Sequence, residues 1–389
     1  MSESVTTKPK YMNRGTYGCI YQPMIPCDNT IRAKLVADQY ISKISKKTES
    51  EERIGTILRR IPHYQYYFAP IISSCPLHLG EIDEREIKKC EIIATDTKDM
   101  KDMKDTYQSY KIRYVGKNHI AKYIQRLPPA QQVQQCIEMH IHLLHALQHM
   151  GNARLVHYDL KSNNIIVDDR YHVPVIIDFG ISFESTVLDT FDETAYKNVF
   201  YSDYNVYPPW CIEIVLLSDI ILNVPAMYST TEDGSSVYDH ILAETEMNRM
   251  EDVYRQFLNK NQVYSEGRES EWKQAEDVKM KQLFVPHLGK TWKDLIATLT
   301  ANVGSWDNYS LAVIMKEIVN NIQETPLGSI PDEYMHILTH IISSEPNTRP
   351  TAEITLNTII EWTHQAPKTL APIQAPTMPP QAPIQAPAP

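Results

Sequence analysis

Apolar and polar positions alternate along the first part of this chain and then shift to helical spacing. Residues 10–44 read as strands: Tyr11 and Met12 lead into a turn of small residues, Cys19, Ile20 and Tyr21 resume an extended pattern, and 39–44 alternate again. Residues 49–61 predict an amphipathic helix, with Ile54, Ile57, Leu58 and Ile61 on one face and Pro62 closing it. The Lys-Asp-Met repeats of 98–106 read as a solvated loop, and 110–114 as a strand. A long helix is predicted over 129–150, with Val133, Ile137, His140, Ile141, Leu144 and Leu147 on one face and Gly151 as its stop. Residues 155–178 read as loop, strand, turn and strand, with 164–167 pairing with 175–178. Further helices are predicted over 238–258 and 292–299.

Composition narrows the picture. The 389 residues, 42% hydrophobic, suffice for one two-lobed domain with additions or for two ordinary domains. A net charge of −10 predicts no broad affinity for nucleic acid. The six cysteines (Cys19, Cys27, Cys75, Cys90, Cys136, Cys211) form no C-x-x-C pair and none sits near histidines at zinc-ligand spacing, so they are expected to be reduced core thiols of a cytosolic protein, not a disulfide framework. The start is polar, without the apolar core of a signal peptide, and Ser2 stands where N-myristoylation needs glycine. The best apolar run, 212–227, carries Glu213, Asp219 and Pro225 and falls short of the roughly 20 residues of a bilayer span, so no membrane segment is expected. Residues 366–389 are rich in Pro, Ala and Gln and hold Ala-Pro-Ile-Gln-Ala-Pro twice, a composition that favours an extended tail; a spacer is the plainer role, and a docking site for a proline-reading module the sharper one.

The most specific chemistry lies in His157-Tyr158-Asp159-Leu160-Lys161-Ser162-Asn163-Asn164, followed by Asp178-Phe179-Gly180. Asp159 can orient a hydroxyl and take its proton. Asn164 and Asp178 can hold Mg²⁺ or Mn²⁺ against a triphosphate, and Lys161 can neutralise the moving phosphate. These motifs resemble H-x-D-L-K-x-x-N and D-F-G of the eukaryotic-type protein kinase superfamily. The resemblance implies a bilobal α+β fold, with a small β-rich N-lobe (about 11–120) and a larger helical C-lobe (about 121–365), between a short tail (1–10) and the Pro-rich tail. It also implies ATP, a divalent ion and protein substrates.

Other positions follow from the same resemblance. Asn13, Gly15, Thr16, Tyr17, Gly18 and Ile20 stand where a glycine-rich loop covers the phosphates, with Asn13 in place of the first glycine. Lys43, inside the alternating pattern of Ile41-Ser42-Lys43-Ile44, stands as the strand lysine that bridges the phosphates. Its helix partner is Glu51, with Glu52 as the alternative. His157 is expected to support the loop, and Asp307 to anchor its backbone. Lys161, two after Asp159, is the pattern of serine/threonine kinases.

Three departures stand out. Tyr158 replaces the arginine that reads an activation-segment phosphate, which implies activity independent of such phosphorylation. Tyr207-Pro208-Pro209-Trp210 stands where A-P-E is expected, so Arg349 lacks its usual glutamate, and Glu213 is the candidate replacement. Finally, 211–304 is longer than the family usually has, suggesting an extra helical subdomain. Arg14 to Tyr21, Ser42-Lys43-Ile44, Tyr67-Phe68-Ala69-Pro70-Ile71 and the Pro-Pro-Trp run look like the divergent serine/threonine kinases of large nucleocytoplasmic DNA viruses, which implies a host-cytoplasmic or virion location. An inactive pseudokinase scaffold and a small-molecule kinase of related fold remain open alternatives.

Overall fold

The computed structural model describes residues 8–14, 18–27, 39–46, 48–77, 80, 82–96, 107–201, 207–228, 235–261, 269–322 and 330–365. The fold is bilobal and α+β: a β-sheet forms the N-terminal region and helices the C-terminal one.

The N-terminal lobe is built on a five-stranded antiparallel sheet. Its strands are β1 (Lys10–Arg14), β2 (Cys19–Gln22), β3 (Tyr40–Lys46), β4 (Ile71–Pro76) and β5 (Tyr107–Arg113), in the order β1-β2-β3-β5-β4. Between β3 and β4 runs helix α1 (Glu49–Leu58). It ends before the expected Ile61, because residues 59–61 continue as single turns before Pro62. Two glycines set close approaches. A Cβ on Gly18 would lie 2.6 Å from the Ile44 carbonyl oxygen, and one on Gly55 would lie 2.8 Å from that of Ile71, so β2 nests on β3 and α1 on β4 only with glycine there.

Between β4 and β5 the chain forms two short helices, α2 (Glu84–Ile87) and α3 (Glu91–Asp96). They bury Ile82, Cys90 and Ile93 with Cys19, Tyr21, Ile44 and Tyr107 in a small core of their own. This core corrects the expectation of six reduced thiols. Cys19 is bonded to Cys90 and Cys27 to Cys75, while Cys136 and Cys211 stay free and buried. The partners are 71 and 48 residues apart in sequence. Only strand register and the folded-back α2–α3 segment bring them together, which spacing does not reveal.

The C-terminal lobe begins with β6 (Asn118–His119), α4 (Ile120–Arg126) and α5 (Pro129–Asn152). The expected stop at Gly151 lies inside α5; the positive-φ position that ends a helix is taken instead by Arg154 (φ 58°), whose N–H bonds to the Gly151 carbonyl. Burial extends beyond the predicted stripe to Cys136, Met139, His142 and Leu143, because later helices pack on several sides of α5. Short strands β7 (Leu155–Val156), β8 (Ile165–Val167), β9 (Pro174–Ile176) and β10 (Phe183–Glu184) follow; β8 and β9 form the predicted hairpin, with Ile166 opposite Val175, and β7 pairs with β10.

The remaining helices are α6 (Glu193–Val199), α7 (Ile212–Met227), α8 (Glu244–Lys260), α9 (Glu269–Phe284), α10 (Trp292–Thr300), α11 (Trp306–Asn320), α12 (Asp332–Ser343) and α13 (Ala352–Gln365). The apolar run 212–227 is a helix buried almost all round. The helix predicted over 238–258 starts only at Glu244, because Leu242 exchanges backbone hydrogen bonds with Lys290 and Gly289, which holds 240–243 extended. Side chains of α8, α9 and α10, among them Met250, Phe257, Phe284 and Trp292, join the main core of the lobe. Among the described residues no helix is long and apolar enough to cross a membrane. The loop expected over 98–106 and the 366–389 tail lie outside the described residues.

Candidate active site

A cleft of about 560 Å³ lies between the lobes, a volume suited to a small-molecule ligand. Its walls combine an apolar slot (Ile20, Ile41, Val115, Ile166, Ile177) with polar groups at one end (Lys43, Glu51, Lys161, Asn164, Asp178). Asn13, Gly18 and Ile20 of the expected glycine-rich loop line it; Gly15, Thr16 and Tyr17 lie outside the described residues.

Lys43 reaches the cleft because β3 is the central strand and its register places Lys43 between Ile20 on β2 and Tyr110 on β5. Its Nζ donates to both carboxylate oxygens of Glu51 (2.8 and 2.9 Å) and to Oδ1 of Asp178 (3.0 Å). Glu51, not Glu52, is therefore the partner, and it is buried. Although the two are only eight residues apart, the short β3–α1 connection turns the first helical turn back onto the strand. Burial works to lower the Lys43 ammonium, but the two carboxylates outweigh it and hold its pKa above the ordinary value. Burial likewise works to raise the Asp178 carboxyl, but Lys43, with smaller help from His157 and Lys161, holds it below the usual range. Both groups are charged at neutral pH.

The loop carrying Asp159 is fixed from beneath. Asp307, at the start of α11, accepts from the backbone N–H of His157 (2.6 Å) and of Tyr158 (3.0 Å), the anchoring role expected of it. Tyr158 takes a positive φ of 70°, and Asp178 one of 63°. His157 supports the arrangement as expected, with Nε2 3.1 Å from the Ile177 carbonyl and its ring 5.1 Å from that of Phe179. Ser162–Asn164 form a short 3-10 turn that folds Asn164 back: its Nδ2 donates to the backbone oxygen (2.8 Å) and to Oδ2 (3.1 Å) of Asp159. Lys161 Nζ donates to both carboxylate oxygens of Asp159, at 3.1 and 2.8 Å.

Asn164 and Asp178 present an amide and a carboxylate, a hard-oxygen donor pair that fits Mg²⁺ or Mn²⁺ when phosphate and water complete the shell. No group of three or more His, Cys, Asp or Glu side chains able to hold a metal occurs among the described residues.

The departures resolve individually. Arg349 forms a two-pronged ion pair with Glu213, one N–O distance being 3.0 Å, with both side chains buried. Tyr158 sits in an aromatic cluster with Phe183, Phe200 and Trp210, and Trp210 Nε1 donates to its carbonyl (2.7 Å). One contact had no signal in the sequence: the Tyr207 hydroxyl donates to Oδ1 of Asp159 at 3.2 Å.

Residues 106–201 match the family model described as protein tyrosine and serine/threonine kinase. No curated protein matches the chain. The matched stretch contains Asp159, Lys161, Asn164 and Asp178, and the geometry adds Lys43 and Glu51 from outside it. The match covers only part of the chain; together with the bilobal fold it makes this chain similar to the protein kinases.

Proposed function

We propose that this protein is an ATP-dependent serine/threonine protein kinase. The observation that carries the proposal is the convergence of two charged groupings on one cleft: Lys43 between Glu51 and Asp178, and Asp159 between Lys161 and Asn164. In this reading the adenine lies in the apolar slot and Lys43, oriented by Glu51, holds the α- and β-phosphates. Asn164 and Asp178 are the residues that would hold Mg²⁺ or Mn²⁺, which when bound supplies charge neutralisation for the phosphate oxygens. Asp159 aligns the acceptor hydroxyl and accepts its proton, and Lys161 offsets charge on the transferred group. Preference for serine and threonine rests on Lys161 standing two residues after Asp159. The resemblance to viral kinases rests on the sequence runs quoted above, and the host-cytoplasm placement that goes with it is weighed against by two disulfides, since a reducing cytosol keeps thiols open.

The deciding experiment is magnesium-dependent transfer of labelled phosphate from ATP to a protein panel and to small alcohols. Wild type is expected to label proteins, and Lys43→Met and Asp178→Ala to lose at least about 10²-fold, the scale of removing one preorganised electrostatic contact. Labelling of alcohols alone points to a small-molecule kinase; nucleotide binding without any transfer points to a scaffold.

Regulation is a second expectation. The space beneath the loop, where an arginine would meet a phosphate, is filled by the Tyr158 cluster, so ring packing holds this region in the absence of any phosphate. Phosphatase-treated enzyme is expected to keep its full rate. Loss of activity, with recovery on phosphorylation within 182–207, would refute this.

A further inference from the structure

The surroundings of Asp159 contain one donor the reaction does not call for. A carboxylate offers about four acceptor sites, and among the described residues all four are engaged. Oδ1 receives Lys161 and Tyr207; Oδ2 receives Lys161 and Asn164. A substrate hydroxyl must donate to this carboxylate, so it has to displace one of them. Lys161 and Asn164 are tied to Asp159 by the local chain, two and five residues away, and Lys161 carries a charge that strengthens its bonds. Tyr207 comes from 48 residues away, makes a single bond from an uncharged donor and makes it at 3.2 Å, long for an O–H donor. It is also the one hydroxyl in the set, the same functional group as the acceptor.

We propose that Tyr207 is a hydroxyl cap on Asp159, occupying the acceptor's place until a substrate displaces it and keeping water from the base meanwhile. The proposal rests on the kinase reading above and adds a specificity-determining residue to it. Its ring is braced for the task. It packs edge-on to Trp210 at 5.4 Å, and the backbone beneath is held by the Ser310 hydroxyl on the Pro209 carbonyl (2.5 Å) and by Trp210 Nε1 on Tyr158. Burial, with the nearby Asp159 charge, pushes the Tyr207 hydroxyl's pKa up, so it remains a donor at any working pH. The reaction it guards against is hydrolysis: a water oxygen bonds to the γ-phosphorus, its proton passes to Asp159, the bond to the β-phosphate oxygen breaks, and ADP and inorganic phosphate leave. Excluding water from a charged site suppresses that side reaction.

The test is Tyr207→Phe, which keeps the ring and its packing. Acceptor-free ATP hydrolysis is expected to rise, and KM for a protein acceptor to fall, each by about tenfold, the scale of one hydrogen bond. KM for ATP and kcat for transfer should stay unchanged. Three results overturn the cap: no change in hydrolysis or acceptor KM, which makes Tyr207 structural; a fall in kcat at constant KM, which makes it an orienting residue for Asp159; or phosphate found on Tyr207 of the wild type, which makes it an acceptor. Wild type that transfers to neither protein nor water overturns the kinase reading itself. Wild type that transfers with no response to the variant overturns the cap alone.

Discussion

Replacing Asp159 by asparagine is expected to lower kcat for protein phosphorylation by about 10²–10⁴-fold, the range of a lost general base. The substitution is nearly isosteric. Its side-chain oxygen can still accept from Lys161 or Asn164, so the loop held by Asp307 should keep its shape. What disappears is the basic oxygen and the negative charge facing the acceptor. Lys43, Glu51 and Asp178, the residues proposed to hold the nucleotide, have no direct bond to Asp159, so KM for ATP should be nearly unchanged. Steady-state kinetics with both substrates varied provide the check. An equal loss through KM for ATP would mean that Asp159 organises the nucleotide site instead of the transfer step.

The second large effect is on stability. Arg349 and Glu213 form an ion pair whose side chains have relative exposures of 1% and 0%. Removing one partner of a buried pair leaves the other charge unsolvated and costs about 3–5 kcal/mol. For a chain of 389 residues, unfolding with about 2.1 cal/mol/K of entropy per residue, that corresponds to a loss of roughly 4–6 °C in Tm. Glu213→Gln is expected to show it in thermal unfolding followed by circular dichroism. Replacing both residues together by apolar side chains of similar volume should cost much less than either single change. A single-variant loss under about 1 °C would mean that the pair is held open to solvent in solution. The pair matters because Glu213 opens α7, directly after the Tyr207–Trp210 segment that carries the residue resting on Asp159.

Legibility in the sequence followed distance along the chain. Asp159, Lys161 and Asn164 lie within six residues, so covalent spacing alone nearly dictates that they converge, and the loop motif could be read directly. Lys43 was recognisable because an ionisable side chain inside an alternating apolar run must face something specific. Glu51 was favoured over Glu52 because it stands three and seven residues before Ile54 and Leu58, but both lie in the first turn of α1; which of them faces β3 depends on how the helix rotates against β4, where Gly55 sets the approach. Glu213 was only a candidate partner for Arg349, 136 residues away, until packing of α7 enclosed the pair.

The sequence by itself determined the chemistry on offer: the short motifs, the alternation of β3, the helical period of α5 and the bilobal order of elements. These rest on interactions among near neighbours, where bond geometry leaves few alternatives. The tertiary structure alone decided that Cys19 meets Cys90, that Cys27 meets Cys75, and that Tyr207 reaches Asp159. Each of these joins residues tens of positions apart, and their meeting depends on strand register, on the fold-back of α2 and α3, and on the seating of Trp210 under the catalytic loop. Such contacts are fixed by burial of the whole core, a property no local stretch of residues contains.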